Sequence, residues 1–297
     1  MKNLSILLLG EPGVGKTLAG LSFPGVEHHV WGSREHDTAM NFKGRTDILP
    51  PVIMNWQDEY TAKDREEITK IEKSADDILV KRKMKEIYRD KAKARAVAKY
   101  FDYLEALKGE LDAGKRPELK TIFLDNFTPY QEDLWTYTTM LHGSDYTEKN
   151  QWNLHTDFQN DIKHTFDLYD KLGLNVVVSC HVSMDLEEET KAKTNFLEQA
   201  KVASRKEWFP NMQGKFKYQL AGKFSYAFYM FTEESTGQDT KYFSKIICDS
   251  QNVGVAKNRF NPFEGNAEHQ SGRKIKMPKG SFYQFLNDAI NKQGGTK

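Results

Sequence analysis

The stretch "GEPGVGKT", residues 10–17, matches the pattern G-x-x-x-x-G-K-[ST] at every defined position. Residues of these types at this spacing suit one chemistry, the holding of a polyphosphate and its magnesium ion. Gly10, Gly13 and Gly15 let the backbone turn tightly enough to aim N–H groups at phosphate oxygens, with Glu11, Pro12 and Val14 between them. Lys16 can neutralise the β- and γ-phosphates of ATP, and the Thr17 hydroxyl can hold Mg²⁺. Such a loop needs a second acid for the metal at the end of another buried strand. "KTIFLDN" supplies Asp125 directly after the apolar or β-branched residues 121–124, at the carboxyl edge where ligands bind in open α/β sheets. The other reading of Asp125 is a cap on the following helix.

A base that orients an attacking water is the next requirement. Asn126 follows Asp125, so a glutamate must come from elsewhere or hydrolysis is slow. Glu35 in "VWGSREHD" is the candidate, just past the second strand; its alternative is a solvated loop acid. "NVVVSCHVS" ends in Cys180 and His181, and His181 is the candidate sensor of the γ-phosphate, or simply a satisfied strand-end histidine. Cys180 and His181 have no partner pair at metal-ligand spacing.

The elements that must position these residues read as alternating strands and helices. Apolar strand candidates at 4–9, 27–31, 121–124 and 175–179, separated by helical patterns, predict an α/β domain with a mainly parallel sheet. Later candidates at 224–231, 242–248 and 253–256 follow one another without helices and predict an antiparallel extension at one sheet edge. "TLAGLSF" after the loop supplies the helix facing the anion. Between residues 58 and 117 lies a charged helical insertion. Residues 58–77 hold eight acidic and four basic side chains, and residues 81–99 hold nine basic and two acidic ones. Ile68, Ile71, Ile78, Met84, Ile87, Val97, Phe101 and Leu104 recur at helical spacings, which predicts one or two long amphipathic helices. Residues 183–210 lack strand signals and read as a charged loop with some helix. Residues 1–262 are taken as one core with that insertion, and 263–297 as a basic tail ending in a short helix at 281–291.

Composition sets bounds on the rest. The chain has 297 residues, 38 % hydrophobic and 29 % charged, long enough to bury a real core and polar for a globular protein without being disordered. A formal net charge of +1 leaves attraction to anionic partners to local patches. Two cysteines in apolar runs, Cys180 and Cys248, argue against a disulfide framework and for a reducing compartment. The apolar run at 4–9 is too short for a signal core or a membrane span, so a cytoplasmic protein without membrane attachment is expected.

Taken in order, "GEPGVGKT", "SREH", "TIFLDN", "VVVSCH" and "VAKNRF" resemble the RecA-like P-loop ATPases. Among these, the order is most similar to phage-encoded nucleotide-binding proteins of single-strand annealing and recombination; replicative hexameric helicases share several parts. The resemblance covers residues 1–45 and 118–262. It implies a RecA-like P-loop NTPase core, ATP and Mg²⁺ as cofactors, ATP hydrolysis stimulated by DNA, and assembly into a homo-oligomeric ring or filament. It further implies that Lys257 and Arg259, matching a late Lys-x-Arg, reach a neighbouring subunit's ATP site as a finger supplied in trans. Their spacing of two puts both on one face of an extended segment, as a phosphate clamp requires; an ordinary basic strand end has the same spacing. If phage-encoded, the protein would work in the host cytoplasm.

Single-stranded DNA is the expected partner. The basic run 81–99, the segment with Lys191, Lys193, Lys201, Arg205 and Lys206 beside Trp208 and Phe209, and the cluster Arg273, Lys274, Lys276 and Lys279 could each track phosphates beside stacking aromatics. For the 81–99 run the other reading is a solvated face or an intramolecular pairing with the acidic stretch before it. A replicative-helicase relative is the near alternative function; from another class, the alternative is a nucleotide-gated scaffold that hardly hydrolyses ATP, raised by Asn126.

Overall fold

The computed structural model describes residues 3–32, 47–142, 151–186, 206–212, 215–234, 242–247, 257–258, 274–276 and 280–294. The chain divides into two units, one of Met1–Ser5, Thr17–Ser179 and Met212–Gly214, the other of Ile6–Lys16, Cys180–Asn211 and Lys215–Lys297.

The first unit is a parallel sheet with helices. Its strands are β2 (Val26–Trp31), β3 (Val52–Met54), β4 (Thr121–Asp125) and β5 (Asn175–Cys180), in the order β5-β4-β2-β3. All three pairings are parallel, with Val26 opposite Thr121, Val30 opposite Asp125 and Thr121 opposite Asn175. β2 and β4 are buried along their whole length, as strands covered on both faces must be. β3 was not anticipated; three residues with an exposed isoleucine carry no alternation to read. The helices are α1 (Lys16–Leu21), α2 (Ala62–Lys73), α3 (Ile78–Asp112), α4 (Phe127–His142) and α5 (Gln151–Leu172). The predicted insertion is thus two helices, α2 and α3. Thr61 and Asp64 form a reciprocal capping box that starts α2, and Asp77 caps α3.

Only the second half of α3 is packed. Ala92, Ala96, Val97, Tyr100, Phe101, Leu104 and Leu107 are buried, whereas Ile78, Met84 and Ile87 at its start are exposed, although the same periodicity runs through both halves. The basic run is largely paired within the unit. Arg95 contacts Asp64, Lys99 meets Glu59 at 2.7 Å, Lys85 meets Glu72 at 3.1 Å and Lys93 meets Asp133 at 2.6 Å. Three of those contacts join the basic run to the acidic stretch before it, and Lys93 instead meets α4.

α3 is tied to the sheet by a buried polar chain on one face of β2. His29 Nε2 lies 2.9 Å from Glu27 Oε1, and its Nδ1 lies 2.7 Å from the Tyr100 hydroxyl, itself 2.6 Å from the Tyr169 hydroxyl. A neutral His29 donating to Glu27 and accepting from Tyr100 satisfies every link. Burial holds the His29 imidazole below its ordinary value, against the pull of Glu27. Burial alone would raise the Glu27 carboxyl, but His29, then Tyr103 and Arg116, bring it down to about 2.

The second unit holds β1 (Ser5–Gly10), β8 (Tyr226–Glu234), β9 (Tyr242–Ile247), β10 (Lys257–Asn258) and β11 (Lys274–Lys276). β1 pairs with β8 in parallel, β9 and β10 pair with β8 antiparallel, and β11 pairs with β9 antiparallel. The predicted antiparallel extension therefore begins one strand later than expected, because β8 adds to the P-loop strand in parallel. A second correction concerns 183–210: both ends are strands, β6 (Val182–Leu186) and β7 (Lys206–Pro210), paired antiparallel. The long gap between the two hid a pairing that neither short strand signals alone. The terminal helix α6 (Phe282–Gly294) sets Phe282 edge-on to Phe228, with centroids 5.6 Å apart. Among the described residues no helix is long and apolar enough to cross a membrane.

The polar chain under β2 generates a pH prediction. Because the folded Glu27 carboxyl lies below its ordinary 4.5, the stability it contributes is complete above pH 4.5 and fades as pH falls towards 2. Glu27→Gln should flatten that acid limb; urea unfolding measured across the window checks it.

Candidate nucleotide site

β1 delivers the loop. Ile6, Leu7, Leu8 and Leu9 are fully buried, so the strand is anchored up to the residue where the backbone must turn. At Gly10 a side chain would collide with the carbonyl oxygen of Met230 on the paired strand. Gly13 and Gly15 have φ of +83° and +96°, a region that costs any other residue strain. Val14 is buried under the loop, while Glu11 and Pro12 are exposed on it.

Lys16 is buried and turns back into this loop. Its Nζ donates to the carbonyl oxygens of Gly10 at 2.9 Å and Glu11 at 2.8 Å, and lies 3.4 Å from His181 Nδ1. Since an ammonium only donates, His181 Nδ1 is the acceptor there. His181 is held after β5 by its carbonyl, which accepts from Asn211 N at 2.7 Å. The predicted loop lysine and the predicted sensor are therefore neighbours.

Thr17 is the next residue along α1, and it meets the predicted acid. Its Oγ1 donates to Asp125 Oδ2 at 2.8 Å. The same oxygen lies 3.2 Å from His28 Nε2, and Oδ1 accepts from the Ser179 hydroxyl. Burial by itself would raise the Asp125 carboxyl; His28 first, then Ser179 and Thr17, outweigh it and hold the group below its ordinary value. Asp125 is therefore an ionised acceptor in the core. By taking the Thr17 proton it leaves that hydroxyl's lone pairs for a cation. These are hard oxygen donors, suited to Mg²⁺, and one hydroxyl beside one carboxylate leaves the remaining ligands to water and phosphate. Asp125 does not cap the next helix. Asn126 does part of that work, its Oδ1 accepting from Thr128 N at 2.7 Å.

Two residues here were not anticipated, His28 and Ser179. Ser179 sits two positions before His181 and one before Cys180, inside the strand rather than at its tip. His28 was overlooked because a buried strand reads as apolar; the signal was a pair of histidines in "VEHHVW", with His28 in register with Phe123, two residues before Asp125. Glu35 and Arg259 lie outside the described residues. Lys257 is in β10, opposite Ala227. Of the aromatics proposed for base stacking, Phe209 is buried, with Lys217 over its ring at 5.7 Å, so it belongs to the packing rather than to an open platform.

A mostly parallel sheet with a glycine-rich loop after its strand, a lysine in that loop and a threonine–aspartate pair defines a P-loop NTPase. A family model described as an AAA domain matches residues 2–260, and the chain belongs to that family. No curated protein matches it. Membership carries nucleotide binding of the P-loop ATPase type.

Replacing Asp125 with alanine removes the acceptor of three side chains. The expected loss is about 1–3 kcal/mol for each buried donor left unpaired, visible as a lower melting temperature without any nucleotide.

Proposed function

We propose that the protein binds ATP with Mg²⁺ and hydrolyses it, and that it couples this to single-stranded DNA during phage-type recombination or replication. The observation that carries the nucleotide half is the hydrogen bond from Thr17, the residue after the P-loop lysine, to the buried, ionised Asp125. In this reading the backbone N–H groups of residues 10–15 and Lys16 bind the triphosphate. Lys16 exchanges the carbonyls of Gly10 and Glu11 for phosphate oxygens, and Thr17 and Asp125 hold the magnesium ion. Bound Mg²⁺ supplies charge neutralisation at the phosphates. His181, next to Lys16, reports on the γ-phosphate, and Glu35 orients water. Lys257 and Arg259 act on a neighbouring subunit's nucleotide, which makes hydrolysis depend on assembly. Support for the DNA half is the ordered motif set together with the lysines and arginines of residues 191–206 and 273–279.

The test is an ATPase assay across protein concentration, with and without single-stranded DNA. Stimulation by DNA and a more than linear rise with concentration are expected, and Lys16→Ala should remove turnover. Absent turnover and absent single-strand binding at low salt would reject the proposal.

Asn126 favours a second reading, a nucleotide-gated scaffold with little hydrolysis, because its side chain is committed to Thr128 and is not a carboxylate. Glu35→Gln separates the two. It should abolish turnover in the enzyme and change little in the scaffold, as phosphate release under saturating ATP will show.

A further inference from the structure

The other side of Asp125 is held by a residue with no part in the P-loop pattern. His28 is fully buried on β2, between Val26 and Val30 on the same strand face, and both valines are also fully buried. Its Nε2 lies 3.2 Å from Asp125 Oδ2, so that nitrogen carries a proton and donates. The ring plane is set by Phe123, on which it stacks with centroids 5.0 Å apart and planes 12° apart. Phe123 in turn lies flat against α1 at Gly20, where any side chain would strike the ring. The sequence of contacts Gly20, Phe123, His28, Asp125 therefore runs from the helix that begins with Lys16 and Thr17 back to the carboxylate that Thr17 touches.

Only one nitrogen of His28 is satisfied. Its Nδ1 is buried and has no hydrogen-bond partner. A valine or leucine in this apolar row would leave no orphaned atom, and buried polar atoms without partners are uncommon enough to need a cause. The cause lies at the other nitrogen. Asp125 Oδ2 receives two donors, Thr17 and His28, and Oδ1 receives Ser179. With only the two hydroxyls, both free to rotate, the carboxylate plane would be loosely set. The imidazole is the one donor whose direction is locked by a stacked ring.

We propose that His28 is a positioning residue for the metal side of the site: it fixes the carboxylate plane of Asp125 and, through it, the direction in which Thr17 presents its lone pairs. This rests on the nucleotide reading above. Groups that orient the residues around a metal ion are worth tenfold or more in its affinity even without touching it.

The experiment measures binding of a fluorescent, non-hydrolysable ATP analogue during magnesium titration, for wild type, His28→Gln, His28→Phe and His28→Leu, with thermal unfolding of each protein free of nucleotide and metal. In His28→Phe or His28→Leu the magnesium concentration for half-maximal binding should rise about tenfold or more. Loss of the hydrogen bond to Asp125 and removal of the orphaned Nδ1 act on melting in opposite directions, so the melting temperature should change little compared with the magnesium response. His28→Gln, whose amide can donate to Asp125, should restore the magnesium response to within about threefold of wild type. The leucine variant keeps the test open should phenylalanine not fit. Unchanged magnesium dependence in every variant that folds would overturn the proposal, as would losses that merely track a falling melting temperature in all three. A wild type that binds no analogue at any magnesium concentration would instead reject the nucleotide reading itself.

Discussion

A carboxylate taken out of water at the end of a strand must find donors inside the protein, and Asp125 finds three. Thr17 comes from the start of α1, His28 from β2 and Ser179 from β5. Each donor belongs to a different element, so the one charged group fixes how the strands and the helix must meet. The register of β2 on β4 sets His28 opposite Phe123 and Val30 opposite Asp125; a slip of one residue would turn the imidazole to the other face. Gly20 answers the same constraint, since a helix bearing a side chain there could not approach Phe123. The stability of an ionised aspartate in the core and the direction of the Thr17 hydroxyl are then two results of one arrangement.

The opposite face of β2 solves a similar problem for a different end. Glu27 and His29 point to the side where α3 and α5 pack, and their charge and hydrogen-bonding needs are met by Tyr100, Tyr103, Tyr169 and Arg116. Trp31, two residues further, donates to Asp133 at 2.9 Å, and Asp133 also holds Lys93. One strand thus alternates between a face that holds the buried carboxylate and a face that anchors the inserted helix. That anchoring accompanies the burial on α3, which runs from Ala92 to Leu107 and includes Tyr100, the residue that meets His29. Ahead of it, Ile78, Met84 and Ile87 keep the helical period without a covering partner in the described residues.

Lys16 shows how the loop accommodates a buried charge. An ammonium that is 6 % exposed would be costly in the apolar core, and the carbonyls of Gly10 and Glu11 with His181 provide the acceptors. Neutral acceptors of this kind are weaker partners for an ammonium than a charged group is. The loop is in this sense already shaped around its lysine.

Much of the site was legible from residue types alone. Gly10, Gly13, Gly15, Lys16 and Thr17 lie together in the chain, and their geometry follows from local backbone preferences that operate wherever the pattern occurs. Asp125 was legible because a buried strand ending in an acid is a strong local signal. The two halves of the insertion were legible as helices, since period and capping are also local. What the periodicity could not say was which half of α3 would be buried, because Ile78 and Phe101 obey the same spacing and differ only in what lies opposite them. The parallel placement of β8, the β6–β7 pairing across a long gap, and the choice of His28 and Ser179 as donors depend on contacts between residues tens to more than a hundred positions apart. Local patterns determine which groups the chain has to offer; the packing of strands in one register decides which of them meet the buried carboxylate, because a hydrogen bond needs its atoms within about 3 Å and no sequence spacing measures that distance.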